Sequence, residues 1–550
     1  MRVATVLSMA VWAALVAANA AGLGAEPRPA KKVDDKKNTW KPGKITISKE
    51  TTRITGPLRK DGYVDYVEAL NRRASQGVTP ENNAAVLLLR AMGPGVVDKE
   101  IRTAYFKRLG IELLPEKGDY FLDLQEYLKN TRPKTWEGDL DRIWDDDVSA
   151  WDRPWSAKQY PLIAGWLTAN EKPLQLVAEA VRRPRYYSPV IVSKDDPWIG
   201  LSGFHVNYGE YRGLIYPLGA RAMLRVKSGQ IDGAREDALT CHFLARRLAH
   251  GPSLIDYLVA RAIDSAAFNF DMLIAHHGDL SAKQAKRHAD DLAELPPMMN
   301  IAHQVRLNER YIFLDAVGHI ARDGPSALIE ALDEFEADKE DKAVAKRLDR
   351  LIAITGVDWD HVLRRGNFWY DQLAAATGRQ SRAARVKAVS DVFDRLNRRR
   401  KDYRDIKALS DKILSAKSRR RRLSEAMGDY LAGLLLPDGD GWSYRFFYKN
   451  IDDKQRVSTR TALLAFALAA HRADHGAYPK TLSKLAPKYI AKLPQDPFAD
   501  ADFRYRQDGK GYVLYSVGPN GKDDGGIDPD SELVIEGLAE SDDRVISTAK

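Results

Sequence analysis

The 550-residue chain reads as a mainly α protein, a helical-hairpin bundle or irregular solenoid, closed by a small C-terminal α/β unit. Beyond Pro154, long segments with apolar residues at helical spacing alternate with short Gly or Pro turns. No fixed repeat period is visible, so an irregular bundle stands beside a true solenoid. Near the end the pattern changes to short Tyr-rich runs around Asp508-Gly509-Lys510-Gly511, the signature of a hairpin.

A chain of this length exceeds what one hydrophobic core supports, which predicts two or three domains. Hydrophobic residues at 44% and charged residues at 29% fit a folded protein rather than a disordered one. Residues 1–20 read as a signal peptide: Met1-Arg2 leads into an apolar run from Val3 to Val16, and Ala18-Asn19-Ala20 offers small residues to a peptidase. That predicts export to the periplasm or exterior, with no membrane span after cleavage. A retained anchor is the alternative, since no charge lies between Val3 and Gly24. With one cysteine, Cys241, an exported chain has no internal disulfide and must rely on its core. Cys241 sits in an apolar helical segment and reads as a buried small hydrophobe.

Residues 21–44 form a Lys-, Asp- and Pro-rich linker, and 45–150 a mixed region expected to pack on the helical body. Within it, Thr51 to Leu58 suggests a short strand, Val64 to Arg73 has helical spacing, and Thr79-Pro80 reads as cap and first residue of a helix. The body spans 151–450, with helices over Tyr211 to Lys227, Asp232 to His250 and Leu254 to His277, and another starting at Ser281. Arg379 to Arg422 carries 17 Lys or Arg against 5 acids, while the whole chain is only +9. The α/β unit covers 451–535, with a last helix over Val457 to His475, a turn of helix at Leu482 to Ala486, and strands over Phe503 to Arg506 and Tyr512 to Val517. Its apolar helix face and Tyr-rich hairpin predict that a fragment from about Ile451 folds alone. Residues 536–550 are a tail.

Gly476-Ala477-Tyr478-Pro479, the Leu493 to Phe498 connector (Leu-Pro-Gln-Asp-Pro-Phe), the hairpin and the Ser516-Val517-Gly518-Pro519-Asn520-Gly521 loop resemble, in that order, the globular part of the major pseudopilin of type II secretion systems. The resemblance covers about Val457 to Asp530; the helix that matches a pseudopilin's filament-building N-terminal helix lies here after some 450 other residues and contains His471, Arg472 and Asp474, so the resemblance implies the head used as a module rather than filament assembly. In major pseudopilins the corresponding loop binds calcium, which makes Asp523, Asp524, Asp528 and Asp530 candidate ligands. Their carboxylates are hard oxygen donors and Gly521, Gly525 and Gly526 let the backbone wrap. The spacing is not an EF-hand, and a plain solvated turn is the alternative. Thr55-Gly56-Pro57-Leu58, Gly77 to Ala84, Asn170 to Leu174 and Arg183 to Tyr187 are similar to motifs of a set of exported planctomycete proteins, a resemblance that implies no activity.

Nucleotide-binding and hydrolase signatures are absent, so catalytic residues are not predicted. His471 and His475, four apart with Asp474 between, have metal-compatible spacing, but an exposed helix end commonly carries His. His276-His277 has the same explanation. The stretch 120–166 mixes Trp136, Trp144, Trp151, Trp155 and Trp166 with Asp139, Asp141 and Asp145 to Asp147; it reads as packing at a domain junction or as a sugar cleft. For the basic block, export makes nucleic acid an unexpected partner, and leaves a solvated helix face, an acidic protein or an anionic envelope polymer. The expected function is a non-catalytic interaction or scaffold protein of the envelope using the pseudopilin-like head. The alternatives are an envelope glycan hydrolase using 120–166 and an accessory of a type II secretion-like machine.

Overall fold

The computed structural model describes residues 40–145, 150–192, 199, 208–324, 327, 339–436, 438–439, 442–526 and 544–547. The chain is mainly helical. Seven helices come first: α1 (Tyr66–Ala74), α2 (Ala84–Met92), α3 (Arg102–Leu109), α4 (Leu124–Thr131), α5 (Trp136–Asp145), α6 (Pro161–Ala169) and α7 (Glu171–Arg182). Next come α8 (Tyr208–Gly213), α9 (Ile215–Lys227), α10 (Ile231–Leu248), α11 (Leu254–His277), α12 (Ala282–Ala293) and α13 (Ile301–Gln304). A π-helical turn, Val305–Glu309, joins α13 to α14 (Arg310–Asp323). The remainder are α15 (Lys339–Thr355), α16 (Trp359–Thr377), α17 (Arg382–Arg404), α18 (Ile406–Leu414), α19 (Arg419–Leu435) and α20 (Tyr444–His475). Among the described residues no helix is long and apolar enough to cross a membrane.

Helix starts follow side-chain capping. Ser253 and Ser281 form capping boxes with Asp256 and Gln284, which satisfy backbone donors that have no partner within the helix. At α2 the cap is Asn83, not Thr79, and Pro80 lies in the turn before it. The Asn83 carboxamide also bonds the Tyr187 backbone on both sides, 2.9 and 3.0 Å, and Arg183 donates to the carbonyls of Pro80 and Asn83. Two motifs distant in sequence thus form one buried joint. Residues 51–58 are not a strand: Ser48, Thr51 and Thr52 bond one another in a turn, and Arg53 has φ of 62°. The helix expected over Tyr211 to Lys227 breaks at Leu214, and α20 begins 13 residues before the expected Val457, at Tyr444.

Two apolar cores organise the body. One gathers α2, α3, α6, α7 and α9 to α12 with the second half of α20; the other gathers α1, α14 to α19 and the start of α11. Residues Leu464 to Ala470 are buried all round, because α20 is covered by α11, α12 and the C-terminal strands rather than by one neighbour. The C-terminal strands are β3 (Gln495–Asp496) with β4 (Ala501–Asp502), and a three-stranded antiparallel sheet of β5 (Arg504–Asp508), β6 (Gly511–Ser516) and β7 (Arg544–Ser547), with β6 central. A second small pairing, β1 (Asp438–Gly439) with β2 (Trp442–Ser443), precedes α20. Asp508 pairs with Gly511, and Gly509, with φ of 56°, supplies the positive φ of the two-residue turn. Phe503, Tyr512 and Leu514 join the core built by α9 to α12, and Tyr512 bonds His276 on α11 at 2.9 Å. The described part of the C-terminal unit thus shares its apolar core with these helices.

Buried charge ties the helices together. His242 on α10 meets Asp264 (2.7 Å) and Asp271 (2.8 Å) of α11; Asp271 also meets His288 of α12 (2.8 Å), and Asp264 meets Arg246 (2.7 Å) and Gln455 of α20 (3.1 Å). The inner face of the basic block has the same role: Arg385 pairs with Asp453, Arg400 with Asp341, and Arg399 lies 3.9 Å from Asp429, all three acids being about 1% exposed or less. Part of that block is thus internal counter-charge, because an unpaired carboxylate in these cores would cost several kcal/mol.

Candidate functional site

An open cleft of about 480 Å³ lies where the π-helical turn crosses α16, lined by Arg53, Arg306, Leu307, Arg310, Tyr311, Asp371, Ala374 and Ala375. Its size falls in the range of small-ligand sites. The π turn inserts one extra residue per turn, a distortion often found at functional sites. It is fixed from behind by a buried amide ladder in which Asn308 donates to the Gln304 side chain at 2.6 Å and Gln304 to the Ala249 carbonyl at 3.4 Å. With that face anchored, Arg306, Leu307, Arg310 and Tyr311 line the cleft.

Arg53 enters from the other side on a strained backbone. A left-handed φ at a non-glycine residue costs about 1–3 kcal/mol and persists only when neighbours hold it. Asn367 on α16 does so: its amide donates to the carbonyls of Thr51 (2.7 Å) and Glu50 (3.1 Å), and its oxygen accepts from Arg53 Nε at 3.2 Å. Arg53 Nη2 then pairs with Asp371, which also accepts from Arg310 Nη2 at 2.7 Å. Asp371 is the one carboxylate lining the cleft.

Cations outnumber it. Arg306 is exposed, lies beside Gly378 at the end of α16, and has no acidic partner among the described residues. Arg73, at the last turn of α1, is likewise exposed, and its charge reaches Tyr311 of the lining. Burial, then the charges of Arg73, His250 and Arg306, push the His303 pKa down. Burial raises the Tyr311 phenol against the pull of Arg73 and Arg310. At Arg310, burial lowers the pKa, Asp371 pulls it up and Arg53 pushes it down again; its buried Nε has no hydrogen-bond partner. Three guanidinium groups and one carboxylate thus line the cleft. It holds no pair of facing carboxylates, no nucleophile beside a base, and no thiolate.

The residues singled out by sequence lie elsewhere. Asp523 and Asp524 are in the loop after β6, and Asp528 and Asp530 fall outside the described residues. Asp523 accepts from Tyr515 Oη and Arg504 Nε, both at 2.9 Å, and from Gly525 N at 3.1 Å; Asp524 accepts from Asn520 at 3.0 Å. The described half of the predicted calcium set, Asp523 and Asp524, is thus hydrogen-bonded to protein donors. Among the described residues no group of three or more His, Cys, Asp or Glu is placed to hold a metal. His471 bonds the Ala477 carbonyl (3.0 Å), and Asp474 is taken by Lys488 and Tyr489. Cys241 is fully buried, and burial raises its thiol pKa well above the ordinary value, as expected of an inert residue.

In the aromatic stretch Trp155 is fully buried and donates to the Ala220 carbonyl at 2.9 Å, and Trp166 donates to the Leu122 carbonyl at 2.7 Å. Trp151, tilted at 53° to Tyr216, and Trp136, with Lys129 Nζ 4.6 Å over its ring, are half-buried. Asp139 is held by Thr135 and Arg142. The side chains of Trp144 and Asp145, and residues Asp146 and Asp147, fall outside the described residues.

Sequence reading missed the cleft because its parts come from three separated segments. The available signal was the Arg306 and Arg310 pair, four apart and so on one helix face. Comparison with protein-family models, curated proteins and solved structures found no match to the chain.

Proposed function

We propose that the protein is an exported, non-catalytic binding protein of the cell envelope, which holds an anionic envelope polymer at the basic cleft and carries a pseudopilin-like head. The observation that carries this reading is the arrangement of Arg53, Arg306 and Arg310 around a single carboxylate, with the charge of Arg73 reaching Tyr311. Cationic walls of low polarity concentrate anions and strengthen each contact. Export rests on the N-terminal pattern and predicts a mature chain beginning near Ala21.

The head reading has its own support. Asp496 of the Leu493 to Phe498 connector is buried and accepts from Phe498 N (2.9 Å), Ser516 Oγ (2.8 Å) and Val517 N (3.0 Å). One carboxylate thus binds the connector to the exit of the hairpin, which gives the shared motif order a structural reason. A glycan hydrolase acting through 120–166 has less support, since Trp155 and Trp166 are internal.

The test is co-sedimentation or fluorescence titration of the full chain with an oligomannuronate and with polyphosphate, at low and at physiological salt. Wild type should bind both and weaken with salt. Arg306→Ser with Arg73→Ser, both exposed, should lose most of that binding without loss of fold. Absence of wild-type binding to every polyanion would end the reading.

A further inference from the structure

Resting on that reading, we infer that the polymer is an anionic polysaccharide, and that it runs out of the cleft along the exposed stripe of α16, one sugar ring stacked on Phe368. The exposed positions of α16 beyond its first turn are Arg364, Phe368, Asp371 and Ala375, which recur at intervals of three and four and form one continuous line. Asp371 and Ala375 already belong to the cleft wall, so the stripe is its direct extension. From Arg364 to Ala375 the line spans roughly 16 Å at 1.5 Å per residue, room for about three sugar units.

Phe368 is the residue that selects the ligand. Its ring is 37% exposed although it stands among tightly packed residues. One side is set by Arg365, whose guanidinium carbon is 5.0 Å from the ring centroid, and by Trp369, 5.3 Å away at 73°. Arg365 is itself pinned to buried Asp429 at 2.5 Å, so the Phe368 ring rests on a rigid floor. A fixed, partly exposed ring flanked by cations suits a sugar face with a charged substituent. A bare polyphosphate has no such face.

The cations are present on the neighbouring helix. Arg395 of α17 donates to Gln372 of α16 at 3.3 Å and lies 5.7 Å from the Trp369 ring. Arg364, Arg395 and Arg398 are exposed and make no ion pair among the described residues, unlike the inward Arg385, Arg399 and Arg400 of the same block. Arg395 and Arg398 of the basic block thereby acquire a role: they grip the carboxylate or sulfate groups of the sugars that follow the one in the cleft.

Titration of full-length Phe368→Ser, Arg364→Ser with Arg398→Ser, and Arg306→Ser with Arg73→Ser against oligomannuronate, polyphosphate and polyglutamate decides the matter. Phe368→Ser should weaken oligomannuronate about tenfold and leave polyphosphate unchanged, while Arg364→Ser with Arg398→Ser should weaken both. If Phe368→Ser binds oligomannuronate like wild type while the Arg306 and Arg73 pair still matters, the track is wrong and the cleft reading survives. Tighter binding of polyglutamate than of the glycan, insensitive to Phe368, would replace the polysaccharide with an acidic protein. If no polyanion binds wild type, both readings fail together.

Discussion

Raising the pH through about 9 is expected to remove about 3 kcal/mol of stability through one side chain, His242. The imidazole is completely buried between Asp264 and Asp271. Burial alone would lower its pKa, but the two carboxylates at hydrogen-bond distance win and raise it from 6.5 to about 9. Each pKa unit corresponds to about 1.4 kcal/mol, which gives about 3 kcal/mol for this shift. The folded chain keeps the proton that the unfolded chain releases near 6.5, so the contribution is complete below that pH. It declines as pH rises and is gone above about 9. Asp264 and Asp271 are held below the ordinary carboxylate range by His242, with Arg246 and His288 as further partners, and stay charged throughout. Neighbouring Cys241 has its thiol pushed well above its usual value and does not titrate in this window. Urea unfolding of the full chain followed by circular dichroism, at steps from about pH 6 to 10, measures the slope. His242→Gln should be destabilised by about 3–5 kcal/mol at neutral pH, because two buried carboxylates lose their shared cation. Its stability should also be flatter above neutrality. Equal alkaline slopes in wild type and His242→Gln would refute the reasoning.

Four further outcomes follow from other contacts. Asp371→Asn should raise polyanion affinity by removing the cleft's competing carboxylate and lower the urea midpoint slightly, as Arg310 loses its charged partner; unchanged affinity would mean Arg53 and Arg310 do not face the ligand. Gly366→Ala should cost about 1–3 kcal/mol, since an added Cβ would lie 1.9 Å from the Phe313 ring where α16 meets α14; a wild-type urea midpoint would show that this approach is looser than described. A fragment from 451 onward should show no cooperative melt, because Phe503, Tyr512 and Leu514 lose the helices that cover them; a sharp thermal transition would establish an independent domain. Thermal melts of the full chain with calcium and with chelator should superimpose, given that Asp523 is held by Arg504, Tyr515 and Gly525; a calcium-dependent rise abolished by Asp523→Ala and Asp528→Ala would restore the loop as a site.

Local signals in the chain were strong enough to determine most of the helices. Ser253 and Ser281 each carry their partner three residues on, and Gly278 follows α11, so these boundaries are written in a few neighbouring residues. The hairpin was equally legible, since its turn residues and alternating Tyr lie within one short segment. Cys241 was readable as a buried residue from its apolar neighbours alone. Harder to see was the early start of α20, whose first half is polar in sequence but buries Tyr448 and Asp453 against α17. The Trp residues of 120–166 showed their composition but not their direction, and only packing turned Trp155 and Trp166 inward.

Charge is where sequence and tertiary structure part company. A run of Arg and Lys looks alike whether it neutralises buried carboxylates or meets solvent. Asp341, Asp429 and Asp453, which separate the two uses, come from other helices. The cleft shows the same limit more sharply. Arg53, Arg306 and Asp371 lie up to 318 residues apart, and their meeting depends on Asn367 holding a left-handed Arg53 and on a π turn braced by Gln304 and Asn308. Periodicity and capping act over a few residues and so determined the elements. The cleft depended on long-range hydrogen bonds and burial, which exist only once the helices have packed.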